Sequence, residues 1–173
     1  MSYRFIAALG LWLACTACSQ KQGQAEAPAP AQSAPPAAPA LAISDITPGG
    51  ITYFSELLQH QDFASAFEAL SNADQLPPWT HQGGTSTPAQ QVQIEGRTQL
   101  LAVACKPHDC PMERILVLYD VNTHAMSGLF ARRKAGVASD VDSNDPANDD
   151  LIWLGAPDEA AKALLQKKLY SPN

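Results

Sequence analysis

The chain has 173 residues, with 17 Asp and Glu against 11 Lys and Arg, giving a formal net charge of −6. A sequence pI near 5.0 argues against a nucleic-acid binder, which normally carries a basic patch on a basic domain. It suits a basic partner, because opposite net charges raise encounter rates. Charged residues make up 16% of the chain and prolines number 14, so part of it is expected outside any packed core, and the composition excludes a polytopic membrane protein.

In chain order, residues 1–17 read as a sorting signal. Arg4 supplies the positive start, and the mostly apolar run from Phe5 to Ala14 follows. A run of about ten residues is too short to span a bilayer and has the length of a signal-peptide core. The segment Cys15-Thr16-Ala17-Cys18 resembles the lipobox of bacterial lipoproteins. Cys18 is the better acceptor, since Thr16-Ala17 precede it and the polar Ser19-Gln20-Lys21 follow, whereas Cys15 would place Trp12 three residues upstream. Cleavage there removes Arg4 and leaves ten basic residues against 17 acidic ones, a charge of −7. Ser19 behind the lipidated cysteine resembles outer-membrane sorting. The expectation is a periplasmic protein anchored to a membrane, the inner leaflet of the outer membrane, through a lipid on Cys18. A plain secretory signal without lipid is the alternative.

Residues 18–43 hold the lipidated cysteine and a tether rich in alanine, with prolines at 28, 30, 35, 36 and 39 and with Lys21 and Glu26 as its charges. Such a stretch cannot bury a core; in polyproline II geometry, at about 3.1 Å per residue, it reaches roughly 75 Å. Residues 44–173 form the domain, long enough for a core that does not depend on disulfides.

Within the domain, Phe63, Ala66, Phe67 and Leu70 recur at i, i+3, i+4 and i+7, which predicts an amphipathic helix over 61–71 with Asp62 as N-cap. A shorter helix over 52–59 precedes it. Leu76-Pro77-Pro78-Trp79 ends the helical region, because proline breaks a helix and restricts the residue before it. Gly83-Gly84-Thr85-Ser86-Thr87-Pro88 is a loop. Val92 and Ile94 alternate toward a turn at Glu95-Gly96, and Thr98–Ala104 is a second extended run. Ile115–Tyr119 is a buried strand and Met126–Ala131 another, joined through Asn122-Thr123. Residues 138–150 contain Asp140, Asp142, Asp145, Asp149 and Asp150 and read as an acidic loop. Leu151–Leu154 is a short last strand. Pro157-Asp158-Glu159 then opens a terminal helix whose later Lys162, Lys167 and Lys168 suit the macrodipole. Helices at both ends of an antiparallel middle define an α+β fold.

Beyond the lipidated Cys18, only Cys105 and Cys110 remain, in a compartment that oxidises thiols. They bracket Lys106-Pro107-His108-Asp109 between two extended runs, so a disulfide across the base of a hairpin tip is reasonable. A ring that small stabilises by only about 2 kcal/mol in the chain-entropy estimate, which points to fixing a loop rather than a fold. Pro107 stiffens it further. The product is a rigid polar protrusion carrying an ammonium, an imidazole and a carboxylate, and rigidity lowers the entropy cost of binding. Other readings remain. Cys105, His108 and Cys110, with His81 or His124, have the composition of a zinc site. The cysteines are a candidate redox pair, although their spacing is not C-x-x-C. The bridge is also readable as a plain staple with His108 solvated. No G-x-S-x-G, H-E-x-x-H or phosphate-binding glycine loop supports an enzyme. Asp109 and Glu113 are candidate paired carboxylates, but isolated acids near a loop are usually just solvated. His60, His81 and His124 read as ordinary surface or loop histidines.

The segment Ala104-Cys105-Lys106-Pro107-His108-Asp109-Cys110 resembles the signature loop of the Ivy family, the inhibitors of vertebrate lysozyme. Leu76-Pro77-Pro78-Trp79 followed by Gly83-Gly84-Thr85-Ser86-Thr87-Pro88-Ala89-Gln90 is similar to that family's L-P-x-W…G-G-T-x-T-P-A-Q stretch, and Met126–Phe130 and Trp153-Leu154 follow in order. The likeness runs over about residues 60–155. It departs at the lipobox, the tether, the Asp-rich segment and, weakly, the terminal helix. The resemblance implies a sheet of about five antiparallel strands flanked by helices, often as a homodimer, with no cofactor and no catalysis of its own. It also implies that the 105–110 loop enters the active-site cleft of a c-type lysozyme with His108 at the catalytic carboxylates. Retaining glycosidases hold those carboxyls about 5–5.5 Å apart, and an imidazolium, favoured by the nearby negative charge, offers donors on opposite sides of one ring. On this reading Asp109 pairs with a basic group on the enzyme or orients the loop, and Lys106 meets a carbonyl or carboxylate at the cleft rim. A second target class is the cell's own lytic transglycosylases, which cut the same glycan.

Overall fold

The computed structural model describes residues 52–138 and 144–171. The signal, Cys18, the tether and Asp140 and Asp142 lie outside the described residues. Two short helices, α1 (Phe54–Leu57) and α2 (Gln61–Glu68), precede six strands: β1 (Thr85–Ser86), β2 (Gln90–Ile94), β3 (Arg97–Cys105), β4 (Glu113–Tyr119), β5 (Met126–Arg133) and β6 (Asp149–Leu154). Helix α3 (Glu159–Tyr170) closes the order. The fold is the expected α+β arrangement, with one strand more than the resemblance implies. The extra strand arises because β1 and β2 share the outer edge of β3, opposite Ala104–Cys105 and Arg97–Leu101 respectively. From there the sheet runs β3-β4-β5-β6, antiparallel throughout.

Strand alternation sorts the apolar residues onto two faces. Leu100 and Ala102 of β3 join Ile115, Val117 and Tyr119 of β4 under Phe54, Phe63 and Phe67 of the first two helices. Leu101 joins Leu116, Leu118 and Leu129 under Ala161, Leu165 and Leu169, one stripe of α3. The central strand β4 is therefore covered on both sides, which is why Ile115–Tyr119 is apolar without a break. Phe54 meets Phe63 and Phe67 edge-on at 5.9 and 5.7 Å, and burying each such ring contributes about 2–3 kcal/mol. Gly128 sits where a Cβ would come within 2.7 Å of the Leu116 carbonyl oxygen, so β5 can lie this close to β4 only with glycine there.

Three local expectations change. Helix α2 starts from His60, which places Asp62 inside the first turn rather than at the cap, and it stops at Glu68, short of 71. The acidic segment is not loop to its end, because Asp149 and Asp150 begin β6 opposite Arg133 and Arg132. Asp149 is buried there because Arg133 Nε approaches its Oδ1 at 3.2 Å, Arg114 Nη2 reaches its Oδ2, and the Tyr170 hydroxyl donates to the same oxygen at 3.2 Å. Two guanidinium groups, that of Arg133 buried and that of Arg114 mostly covered, make a strand residue of a carboxylate that composition assigns to solvent. Finally, Asp158 is the N-cap of α3, accepting from the Ala161 N–H at 2.8 Å, with Pro157 just before the helix rather than in its first turn.

Candidate functional site: the loop between β3 and β4

The connection between β3 and β4 is residues 106–112. The Cys105–Cys110 disulfide, with its Cα atoms 4.8 Å apart, joins the last residue of β3 to a point inside that loop. It does not cross the hairpin's base, where Cys105 faces Arg114. The bridge thus closes a small ring at the tip while the strand ladder closes the base.

The loop satisfies its own backbone. The Lys106 N–H donates to the Glu113 carbonyl at 3.0 Å, the Asp109 N–H to the Lys106 carbonyl at 3.1 Å, and the Met112 N–H to the Asp109 carbonyl at 3.1 Å. The Arg133 N–H of β5 donates to the Met112 carbonyl at 2.8 Å. Lys106 Nζ and Asp109 Oδ2 pair at 3.2 Å, both about 40% exposed (42% and 39%). An ion pair so exposed adds little stability, but it fixes where both side chains point. Pro107 and His108 are exposed at the tip. His108 has φ of +63°, a left-handed conformation that costs a non-glycine residue about 1 kcal/mol. Among the described residues its imidazole makes no hydrogen bond or ion pair.

The other predicted histidines are placed elsewhere. His81 Nδ1 lies 2.9 Å from Glu68 Oε1, with its ring edge-on to Phe67. His124 stacks on Tyr119 in the turn at the far end of β4. With both sulfurs consumed in the disulfide, neither cysteine is a thiolate for a metal, so the zinc reading loses two of its ligands. Among the described residues no group of three His, Cys, Asp or Glu side chains is arranged to hold a metal ion.

What stands beneath the loop comes from positions far apart in the sequence. Glu113, set aside as a solvated acid, is mostly covered at 14% exposure; its Oε2 accepts the Trp79 indole N–H at 2.7 Å and its Oε1 pairs with Arg132 Nε at 2.9 Å. Gly84 packs between the Cys105 carbonyl and the Trp79 ring, where a Cβ would come within 2.5 and 2.7 Å of them. Trp79 and Gly84 stand in the motifs that carry the family resemblance, so their clustering was a usable signal. Arg132 had none, since only the β4–β5 register sets it opposite Glu113.

Among the described residues, the six-stranded antiparallel sheet carries one disulfide, and it lies at a short polar tip. Residues 62–169 match the family described as inhibitor of vertebrate lysozyme (Ivy), reaching further into α3 than the motifs alone. The chain is 34% identical over 119 residues to the Escherichia coli K12 protein named inhibitor of vertebrate lysozyme, covering 69% of this chain and 66% of that protein. To the Pseudomonas aeruginosa protein of the same name it is 31% identical over 121 residues, covering 68% and 78% respectively. This chain belongs to the Ivy family, a family of lysozyme inhibitors rather than enzymes. Its match spans just under two thirds of the E. coli relative's length.

Proposed function

We propose that this chain inhibits a c-type lysozyme by inserting the Cys105–Cys110 loop into the active-site cleft, with the His108 imidazole between the two catalytic carboxylates. The observation that carries the reading is His108 itself: exposed, held in a left-handed conformation, and without a hydrogen bond or ion pair among the described residues. The fold invests a disulfide and several backbone bonds in a tip whose one aromatic polar group it does not use. The names of the relatives supply the target class. Carboxylates 5–5.5 Å apart match an imidazolium with donors on opposite sides, and bridging them removes acid and nucleophile together. The intraloop pair with Lys106 favours an orienting role for Asp109 over a contact with the enzyme. The acidic chain speeds encounter with a basic enzyme, more at low salt than high. Lipidation at Cys18, with the tether beyond it, holds the inhibitor at a periplasmic membrane surface.

The test is a turbidity assay of cell-wall lysis by a c-type lysozyme, with the protein and its His108→Ala variant side by side. Inhibition by the first and its loss in the second is the expected result; near-equal inhibition by both would sink the loop mechanism. If the folded wild-type protein leaves the lysozyme untouched, the target is wrong and binding to purified lytic transglycosylases becomes the next assay. Membrane association is tested apart from this: a Cys18→Ser chain that still pellets with membranes removes the anchor from the proposal.

A further inference from the structure

The loop's two roots, Cys105 at the end of β3 and Glu113 at the start of β4, meet at one side chain. The Trp79 ring lies against Gly84, whose own backbone packs on the Cys105 carbonyl, while the Trp79 N–H donates to the Glu113 carboxylate. β1 adds the backbone pairing Thr85 with Cys105. The Glu113 carbonyl in turn accepts the Lys106 N–H, the first hydrogen bond inside the loop. We infer that Trp79 is a positioning residue of the inhibitory loop, acting through Glu113 and through Gly84 to set the angle at which the tip leaves the sheet. This rests on the proposed inhibition by the loop and deepens it.

Chemistry favours such a role over simple core filling. Trp79 is only partly buried at the margin of the aromatic core, 6.3 Å from Phe130, where any large ring would pack. What distinguishes indole there is the N–H, and it is aimed at a carboxylate, the kind of acceptor that makes hydrogen bonds short and strong. Arg132, its guanidinium 5.3 Å over the Phe130 ring, holds the other carboxylate oxygen. Glu113 is thus gripped from both sides, and its main chain cannot shift without breaking one grip.

The experiment is a double-mutant cycle on the whole protein with Trp79→Phe, which keeps a ring and deletes the donor, and Glu113→Ala, with Glu113→Leu, which fills the space without an acceptor, in its place should the alanine variant fail to fold. Trp79→Phe is expected to weaken lysozyme inhibition about tenfold, the scale of one hydrogen bond to a charged group, Glu113→Ala at least as much because it also releases Arg132, and the double variant no more than Glu113→Ala alone, because the two act as one unit. In the unbound variants, amide exchange should quicken at Lys106 and Asp109 and stay unchanged at Val117 in the centre of β4. Multiplicative losses near a hundredfold, or loop exchange equal to wild type, would overturn the inference. Should the wild-type protein prove no lysozyme inhibitor, the proposed function fails, and the exchange measurement still decides whether Trp79 positions the loop.

Discussion

Strand β4 ends in two turns, and each carries a histidine in the left-handed region: His108 at +63° on one side, His124 at +58° on the other. Their φ angles are nearly the same and their surroundings are not. At the far turn, the Asp120 carboxylate accepts the Asn122 and Thr123 N–H groups at 2.9 and 3.1 Å, and the His124 N–H reaches the Asp120 carbonyl at 2.8 Å. The His124 ring lies nearly parallel to Tyr119, 6.0 Å between centroids, with Asp62 3.9 Å away. There the strained residue is repaid locally by contacts of its side chain. At the loop end the supports attach to the residues around His108 and never to its ring. Backbone strain of this kind clusters at functional positions, and it is one support for the role proposed for His108. The comparison separates a histidine the fold needs from one the fold merely carries.

The largest expected effect tests the charge cluster beside the loop end of β4. Asp149→Ala removes the carboxylate that faces the buried Arg133 and the mostly covered Arg114 side chains and should cost about 3–5 kcal/mol of stability, read as a drop in the denaturation midpoint. A variant as stable as wild type would mean that this charge cluster does not anchor β4, β5 and β6 to one another. Next comes a matched pair of substitutions. His108→Gly relieves a left-handed residue worth about 1 kcal/mol and adds a similar unfolded-state entropy, so stability should hold within about 0.5 kcal/mol. Inhibition of lysozyme should meanwhile fall by about 2 kcal/mol or more in binding, thirtyfold and upward, the scale for truncating a paired charged group in an interface. A glycine variant that inhibits normally would erase the difference between the two turns.

Much of this was legible beforehand, for reasons that can be stated by residue. The period of Phe63, Phe67 and Leu70, the unbroken Ile115–Tyr119 run and the Cys105–Cys110 bracket all report short-range physics: one helix face, one doubly covered strand, one small ring. Register was not legible. Asp149 looked like acid in a loop because its two guanidinium partners lie 35 and 16 positions earlier and come to it only through strand pairing. Glu113 looked solvated for the same reason, since Trp79 and Arg132 reach it across the fold. The ring closed by Cys105 and Cys110 is local and legible in the sequence; the contacts beneath it are long-range and are not.

The other half of the matched pair is smaller. His124→Gly gains and loses the same backbone terms as His108→Gly but forfeits the stacking on Tyr119, so it should cost about 1 kcal/mol of stability and leave lysozyme inhibition unchanged. A loss of inhibition there would show the two turns to be coupled along β4.

The smallest effect is one of pH at the same turn. The Thr123 and Asn122 backbone N–H groups hold the Asp120 carboxyl below its ordinary value of 3.8. A carboxyl lowered by folding adds stability that is fully present above that ordinary value and is lost as pH falls through the lower, folded-state value. Melting temperature should therefore decline as the solution is acidified below about pH 4, and more steeply for wild type than for Asp120→Asn, whose amide oxygen can still accept both backbone bonds made to Oδ1 but does not titrate. Parallel acid slopes would remove Asp120 as a source of the turn's order and leave the Tyr119 stacking to account for the strained His124 alone.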